Sequence, residues 1–483
     1  MDHKDIVTRF APSPTGFLHI GSVRTALFAF LYARKHNGTF ILRIEDTDKN
    51  REVEGSYEHI VESLKWLGIE CDFGPDKVAL FGSCIQSERL EIYLKYANIL
   101  IEKGLAYADP YTAEEVESFR KSAQEQKKPF LFRDYRPESF SAWDGTKPLR
   151  LKVPEIKRYN WHDAVRGDLS AGEEMLDDFV IIKSDGFPTY NFAHIIDDFE
   201  MGVTHIMRAD EFISSTPKFL SLYDALEIPY PVFVTLPPIL RSDRTKKLGK
   251  RDGAQDILEY RDNGYLPVAI INLLALTGWN PGNDKEIFSV SELIESFDID
   301  KIQKSGAVFS EEKLLWTNKK HLENLSESEF SDYLKPDESL DVFSNYDKEV
   351  FKRLLPSIRE RIQIRKEFIE QVRAGEYDFA FIASTDFATD LLKWKNDESV
   401  KDALPRLKQA LILLEKADFS SVENIKSAVW KYAEEVGKGE LLWPLRVALS
   451  GRERSPDPFT IAFIIGRVET LDRIRLACDK IGE

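Results

Sequence analysis

A chain of 483 residues exceeds what one hydrophobic core sustains, so several packed domains are expected. With 43% hydrophobic and 31% charged residues the composition is that of a globular protein and excludes a disordered one. A formal net charge of −16 excludes indiscriminate coating of nucleic acid, while leaving room for local basic patches.

The opening MDHKDIVTRF is charged and leads into no apolar run with a cleavage site, so no signal peptide is expected. IVTRFA reads as a short strand ending at Pro12. In GSVRTALFAFLYARKHNG, Val23, Leu27, Phe30 and Leu31 recur at helical spacing and Gly38 reads as the stop; FILRIEDTD then reads as a second strand. Strand, helix and strand in so short a span form a βαβ unit, the seed of a parallel nucleotide-binding sheet. Helical patterns follow in GSYEHIVESLKWLGI and ERLEIYLKYANILIEKG. From about 113 to 180 the chain becomes charged and proline-containing, which reads as a domain inserted into the sheet. Strand-like runs return at DDFVIIK, VTHIMRA and PVFVTLPPIL. After about 320 the pattern is almost wholly helical, as in ALPRLKQALILLEKA. The longest apolar run, VAIINLLALTGW, is too short to span a bilayer, so a cytoplasmic protein without a membrane segment is expected.

Cys71, Cys84 and Cys478 are scattered, with no CxxC pair and no histidine at ligand spacing. Neither a disulfide framework nor a protein-bound zinc is expected. Two basic runs stand out, RSDRTKKLGKR at 241–251 and KRLLPSIRERIQIRK at 352–366. On charge alone each reads as a solvated loop or helix face.

Two segments point to chemistry. PSPTGFLHIG, residues 12–21, falls between strand and helix, where backbone N–H groups approached through small residues make a phosphate site. It matches neither GxGxxG nor GxxxxGK[ST], so it is not a common dinucleotide loop or P-loop. His19 there can donate to a phosphate oxygen while Gly21 permits close approach. KLGKR, residues 247–251, supplies Lys247 and Lys250. Transfer of an adenylyl group needs a carboxylate held in line with the α-phosphate and cations facing the departing pyrophosphate, and no covalent nucleophile.

Strand–PSPTGFLHIG–helix with a later KLGKR resembles the two signatures of class I aminoacyl-tRNA synthetases. VTRFAPSPTG, VRTALF, RIEDTD, KSDGFPTYNFA, DDFEMGVTHIMRADE and PLRVALSG resemble the bacterial-type glutamyl branch of that family, in order along the chain. The resemblance implies an α/β nucleotide-binding (Rossmann-like) catalytic domain in two halves, 1–112 and 185–240, around an acceptor-end-binding insertion at 113–184. It further implies a stem-contact domain at 241–322 and all-α anticodon-binding domains at 323–375 and 376–483. It implies ATP with Mg²⁺, L-glutamate and a glutamate-specific tRNA as reactants, and a monomer. His19, Gly21, Lys247 and Lys250 match its ATP-binding positions; Arg9, Ser13, Glu45, Tyr190, His194 and Arg208 match its glutamate pocket; Arg361 and Arg446 match anticodon contacts. Ser22 stands at the fourth place of the first signature and Gly249 where the second commonly has serine. His194 and Phe212 depart from the usual asparagine and tryptophan, and GLAYADPYTAEE lacks the cysteines some relatives carry there. Taken singly, Arg208 pairing with Asp210 or Glu211, Arg9 with Glu45, and Arg361 with a nearby glutamate stay open as structural ion pairs. Activity extending to glutamine tRNA, and a non-catalytic tRNA-binding paralogue, also stay open.

Overall fold

Parallel strands and the helices between them build the first of two units, Met1–Thr317; the second is Asn318–Glu483. The computed structural model describes residues 5–77, 79–241, 243, 247–248, 255–334, 347–382 and 387–482.

In the first unit β1 (Val7–Phe10) leads through α1 (Ile20–Lys35) to β2 (Thr39–Leu42), which pairs parallel to β1 with Val7 opposite Thr39. The expected βαβ unit is present, and α1 buries the Val23, Leu27, Phe30 and Leu31 whose spacing predicts it. Its exit differs in one detail from the sequence reading. Asn37 takes the left-handed conformation (φ 52°), and Gly38 is required because a Cβ there would lie 2.1 Å from the Ile6 carbonyl oxygen.

The chain continues through α2 (Ser56–Leu67), α3 (Leu90–Glu102), β3 (Ala106–Ala108), α4 (Ala113–Glu125) and β4 (Leu149–Leu151). Then come β5 (Tyr159–Asp163), β6 (Gly167–Ala171), β7 (Val180–Ile182), α5 (Tyr190–Glu200), β8 (His205–Ala209), α6 (Thr216–Leu226) and β9 (Val232–Leu236). The main sheet has the order β2-β1-β8-β9-β5-β6, parallel except for β6, which pairs antiparallel with β5. β3, β4 and β7 form a separate antiparallel sheet. The stretch that reads as one insertion, 113–184, is therefore divided: β4 and β7 lie in the small sheet, whereas β5 and β6 extend the main one. The cause is a buried carboxylate. Asp163, fully buried at the end of β5, accepts from the backbone of Val165 and Arg166 and from the N–H and hydroxyl of Thr235 on β9, the last at 2.6 Å.

Among its described residues the second unit is helical, the principal helices being Glu327–Leu334, Lys348–Arg361, Arg365–Arg373, Ala403–Glu415, Val422–Val436, Lys438–Ser450 and Pro458–Gly482. The last packs against the three before it and breaks its helical geometry at Gly466 (φ 81°), where Arg353 donates to the freed Ile464 carbonyl at 2.8 Å. Buried Arg473 ties the Phe379 and Leu449 carbonyls together at 2.7 and 2.6 Å. Among the described residues no helix is long and apolar enough to cross a membrane.

Candidate functional site

β1 and β8 are neighbours at the point where the strand order reverses, and a cleft of about 320 Å³ opens beyond their C-terminal ends. Arg9, His19, Glu45, Tyr190, Arg208 and Phe212 line it, and exposed Ser13 forms part of its rim. Residues far apart in sequence and matched to one glutamate pocket thus meet in one place.

Beneath the cleft lies an ion cluster. Arg9 donates from Nε to Asp198 Oδ1 (3.0 Å) and from Nη1 to the Met207 carbonyl (3.3 Å). Arg43, with no exposed surface, donates to Asp198 Oδ1 (2.7 Å) and to Glu45 Oε1 (3.0 Å). Asp197 accepts from Arg89 Nε (2.7 Å), Gln86 (2.8 Å) and the Tyr93 hydroxyl (2.7 Å). Burial pushes the Asp198 carboxyl up, but Arg43 and Arg9 outweigh it and hold the group well below the usual carboxylate range. For Glu45 burial wins over Arg43 and Arg9, and its pKa is raised. The ion pair between Arg9 and Glu45 that the sequence left open is not made: Arg9 pairs with Asp198, and Glu45 with Arg43.

Arg208 is held differently. It is buried at 6% exposure and its guanidinium lies over the rings of Phe219, Phe233 and Phe212 at 5.0, 5.1 and 5.7 Å. Its hydrogen-bond partner is the Thr216 hydroxyl, at 2.8 Å from Nη2. Its Nε is buried with no partner, and among the described residues no carboxylate lies within ion-pairing distance. Burial lowers its pKa. A guanidinium desolvated in this way is unfavourable until an anion reaches it.

His194 stacks on Tyr190 at 4.6 Å and meets Phe219 edge-on. Its Nδ1 lies 2.7 Å from the Tyr190 carbonyl, which only accepts, so Nδ1 carries the hydrogen and Nε2 is left as the acceptor. Burial lowers its pKa to about 3. The unfolded chain therefore binds a proton that the native state refuses between pH 6.5 and 3, and the stability this site contributes is complete above pH 6.5 and lost as pH falls towards 3. Replacing His194 by Asn is expected to lower the slope of unfolding free energy against pH in that window by about 1.4 kcal/mol per pH unit, read from urea titrations at a series of pH values.

The segment 12–21 explains its own residue choices. His19 is the N-cap of α1, and its Nδ1 accepts the Gly21 N–H at 3.1 Å. Its Nε2 faces the Ser22 hydroxyl at 3.3 Å. A Cβ on Gly21 would stand 2.9 Å from the imidazole Cε1, so the glycine lets the ring fold back over the helix start. Capping fixes the tautomer with hydrogen on Nε2, the form that donates to an anion. Lys247 is placed by Leu248, whose N–H bonds the Ile239 carbonyl at 2.7 Å, and its ammonium is paired with Glu211. Lys250 and Gly249 lie outside the described residues.

In the second unit, Arg361 ends the helix Lys348–Arg361 and borders a cavity of about 820 Å³ with Arg452, Arg454, Glu360 and Glu376. It is paired with Glu376 in a half-exposed contact, the structural pairing the sequence left open. Lys319 Nζ donates to the carbonyls of Glu360 (2.8 Å) and Ile362 (2.9 Å) and so fixes that helix end. Arg446 does not border this cavity; it lies over the Trp443 ring at 4.7 Å and bonds the Glu453 carbonyl at 2.7 Å.

Residues 5–316 match the family described as class I tRNA synthetases (E and Q), catalytic domain, and residues 324–478 match an anticodon binding domain. The chain belongs to the class I tRNA synthetases. It is 40% identical over 490 residues to glutamate–tRNA ligase 1 of Caldanaerobacter subterraneus subsp. tengcongensis, covering 99% of this chain and 98% of that one. It is 39% identical over 493 residues to glutamate–tRNA ligase of Clostridium botulinum, with 98% of both covered. Among solved structures, a glutamate tRNA ligase from Elizabethkingia meningosepticum in complex with its amino acid superposes with a TM-score of 0.85 at 33% identity, covering 99% of this chain and 100% of that one.

Within this synthetase, sequence reasoning missed Arg43, Asp197 and Asp198, which set the cleft floor, and His59, which braces the segment before His19. A signal was present for the acids. Asp197 and Asp198 interrupt the apolar run of α5, and both are buried there. Carboxylates on a buried helix face need cationic partners from elsewhere in the fold.

Proposed function

We propose that this synthetase is a glutamate–tRNA ligase, a cytoplasmic monomer that activates L-glutamate with ATP and transfers it to the 3′ end of glutamate tRNA. The observation that carries the reading is Arg208, a buried guanidinium on the cleft wall with a hydroxyl partner and an unsatisfied Nε. A side-chain carboxylate supplies what it lacks, with the planar fork giving direction as well as charge. Charge balance agrees. Arg9, Arg43 and Arg89 are matched by the carboxylates Glu45, Asp197 and Asp198, which leaves Arg208 as an excess of one positive charge when all three are ionised. Glutamate carries one net negative charge at neutral pH.

In this reading Glu45 receives the substrate ammonium, while Tyr190 closes the pocket wall, backed by neutral His194 stacked on its ring. Ser13 borders the α-carboxylate, which attacks the α-phosphorus of ATP; the bond to the bridging oxygen breaks and pyrophosphate leaves. His19 Nε2–H binds phosphate oxygens, its ring held by the Gly21 N–H, and Lys247 and Lys250 stabilise the departing pyrophosphate. Mg²⁺ enters as part of the ATP substrate, held largely by phosphate oxygens and water. The ribose hydroxyl of the terminal adenosine then attacks the mixed anhydride and releases AMP. The 113–184 stretch would receive the acceptor end, 241–322 the stem, and the second unit the anticodon. Charging of purified glutamate and glutamine tRNAs side by side tests the reading; charging of neither overturns it.

Arg361 is the proposed reader of the third anticodon letter, with Arg446 a further contact. Glutamate anticodons end in C and glutamine anticodons in G. On its Watson–Crick edge cytosine offers the acceptors N3 and O2, whereas guanine offers two donors, and arginine only donates. The Glu376 pair is half exposed, so its exchange for a base is inexpensive. The enzyme is expected to prefer glutamate tRNA, and Arg361→Gln to shift the ratio towards glutamine tRNA by about 1–3 kcal/mol in kcat/KM. An unchanged ratio in the variant would remove Arg361 from this role.

A further inference from the structure

The first turn of α2 carries an imidazole with partners on two separate chain segments. His59, at 7% exposure, receives the Leu18 N–H at Nδ1 (3.3 Å), with the Ser63 hydroxyl also 3.3 Å from that nitrogen. A backbone N–H only donates, so Nδ1 is the acceptor and Nε2 carries the hydrogen. That hydrogen goes to Asp256 Oδ1 at 2.5 Å. Asp256 is the N-cap of the helix Ile257–Asp262, its Oδ1 also accepting from Leu258 N–H at 2.9 Å. The Leu18 carbonyl in turn accepts from Ile257 N–H at 3.1 Å, and His19 and Asp256 form a β-bridge. The Leu18 peptide is thus bonded on both sides, by α2 and by the chain just after KLGKR.

Other contacts reinforce the same junction. Phe17 stacks on the imidazole at 4.6 Å with planes 15° apart. Ser56, one turn earlier on α2, donates to the Gly16 carbonyl at 2.9 Å and receives its N–H at 3.3 Å. Glu62, one turn later, pairs with Arg261 of the second segment. Gly16, Phe17 and Leu18 run directly into His19, and Asp256 stands five residues beyond Arg251 of KLGKR.

We propose that His59 is a positioning residue of the nucleotide site, clasping the loop that presents His19 to the chain that follows KLGKR. The inference rests on reading this cleft as the ATP site. His59 touches neither reactant in that reading; it fixes the loop that runs into His19 against Asp256, the N-cap of the helix that follows KLGKR. The glutamate contacts Tyr190 and Arg208 stand on α5 and β8, outside the clasp, so its loss falls on ATP and spares glutamate.

The test uses the full-length chain and ATP–pyrophosphate exchange with glutamate and tRNA. His59→Phe keeps the stacking surface and loses both hydrogen bonds; His59→Gln restores a donor near the Nε2 position, and His59→Asn an acceptor near Nδ1. Losing a hydrogen bond to a charged partner is expected to raise KM for ATP about tenfold or more in the Phe variant. KM for glutamate is expected to stay within about twofold, as the clasp leaves its contacts bonded. Gln is expected to recover much of the ATP loss. An unchanged ATP KM, equal rises in both constants, or Gln no better than Phe overturns the proposal. Hydrogen exchange at the Leu18 amide keeps the question separate from the reaction. Faster exchange in Phe than in wild type, with protection kept in Asn, supports the clasp even if wild type were to fail in exchange with glutamate, a failure that would overturn the functional reading alone. Equal exchange in all variants overturns the clasp.

Discussion

Arg208→Ala is expected to lower kcat/KM for glutamate by about 2–5 kcal/mol of transition-state stabilisation, roughly 30- to 4,000-fold, with nucleotide binding nearly intact. The size follows from where the group sits. Arg208 is desolvated against three aromatic rings, and Thr216 supplies a neutral hydroxyl partner, so the guanidinium depends on the substrate carboxylate for its charge partner. The carboxylate depends on it equally, because the rings of Tyr190 and Phe212 form the cleft wall beside it. Arg208→Lys is expected to recover only part of the loss, since a point charge cannot reproduce the two-pronged contact. Steady-state charging with glutamate varied at saturating ATP, then the reverse, separates the two ligands. Equal losses for glutamate and ATP would mean that the variant is misfolded and that Arg208 does not read the substrate side chain.

Asp198→Ala is expected to be the most destabilising single change in the cleft, by about 3–5 kcal/mol, because it leaves buried charges unpaired. Asp198 accepts from Arg9 at 3.0 Å and from Arg43 at 2.7 Å, and both arginines are buried. Asp198→Asn keeps the shape and removes the charge, so it separates packing from electrostatics and should fall between Ala and wild type. The pH dependence has a definite sign. The Asp198 carboxyl is held well below its ordinary range, so the stability it contributes is present above the ordinary carboxylate pKa and is lost as pH falls through the native value. Urea unfolding at pH 7 measures the loss, and the acid limb of wild-type stability should be shallower in Asp198→Asn. A wild-type midpoint in Asp198→Ala would mean that Arg9 and Arg43 find other partners.

Some of this protein was determined by the sequence alone. The βαβ start follows from apolar spacing, and the placing of PSPTGFLHIG between strand and helix follows from where that spacing begins, because both are local properties of a few residues. The helical character after 320 is likewise written in the 3.6-residue period. The roles matched to Arg9, Glu45, Tyr190 and Arg208 came from motif order, and the fold brings those four residues to one cleft. What only the tertiary structure decided is which charge answers which. By sequence Arg9 could equally have faced Glu45, just beyond β2; Asp198, nearly two hundred residues away, takes it because α5 carries that carboxylate to the ends of β1 and β2. β5 joins the main sheet through Asp163, a carboxylate that sequence polarity assigns to the surface and that four hydrogen bonds hold in the interior. His59 gave no local sign of its place between Leu18 and Asp256, since its partners come from two other segments. Spacing along the chain sets which face of an element is buried. The pairing of buried polar groups is settled by the free energy of leaving any of them unmatched, a property of the whole assembled fold.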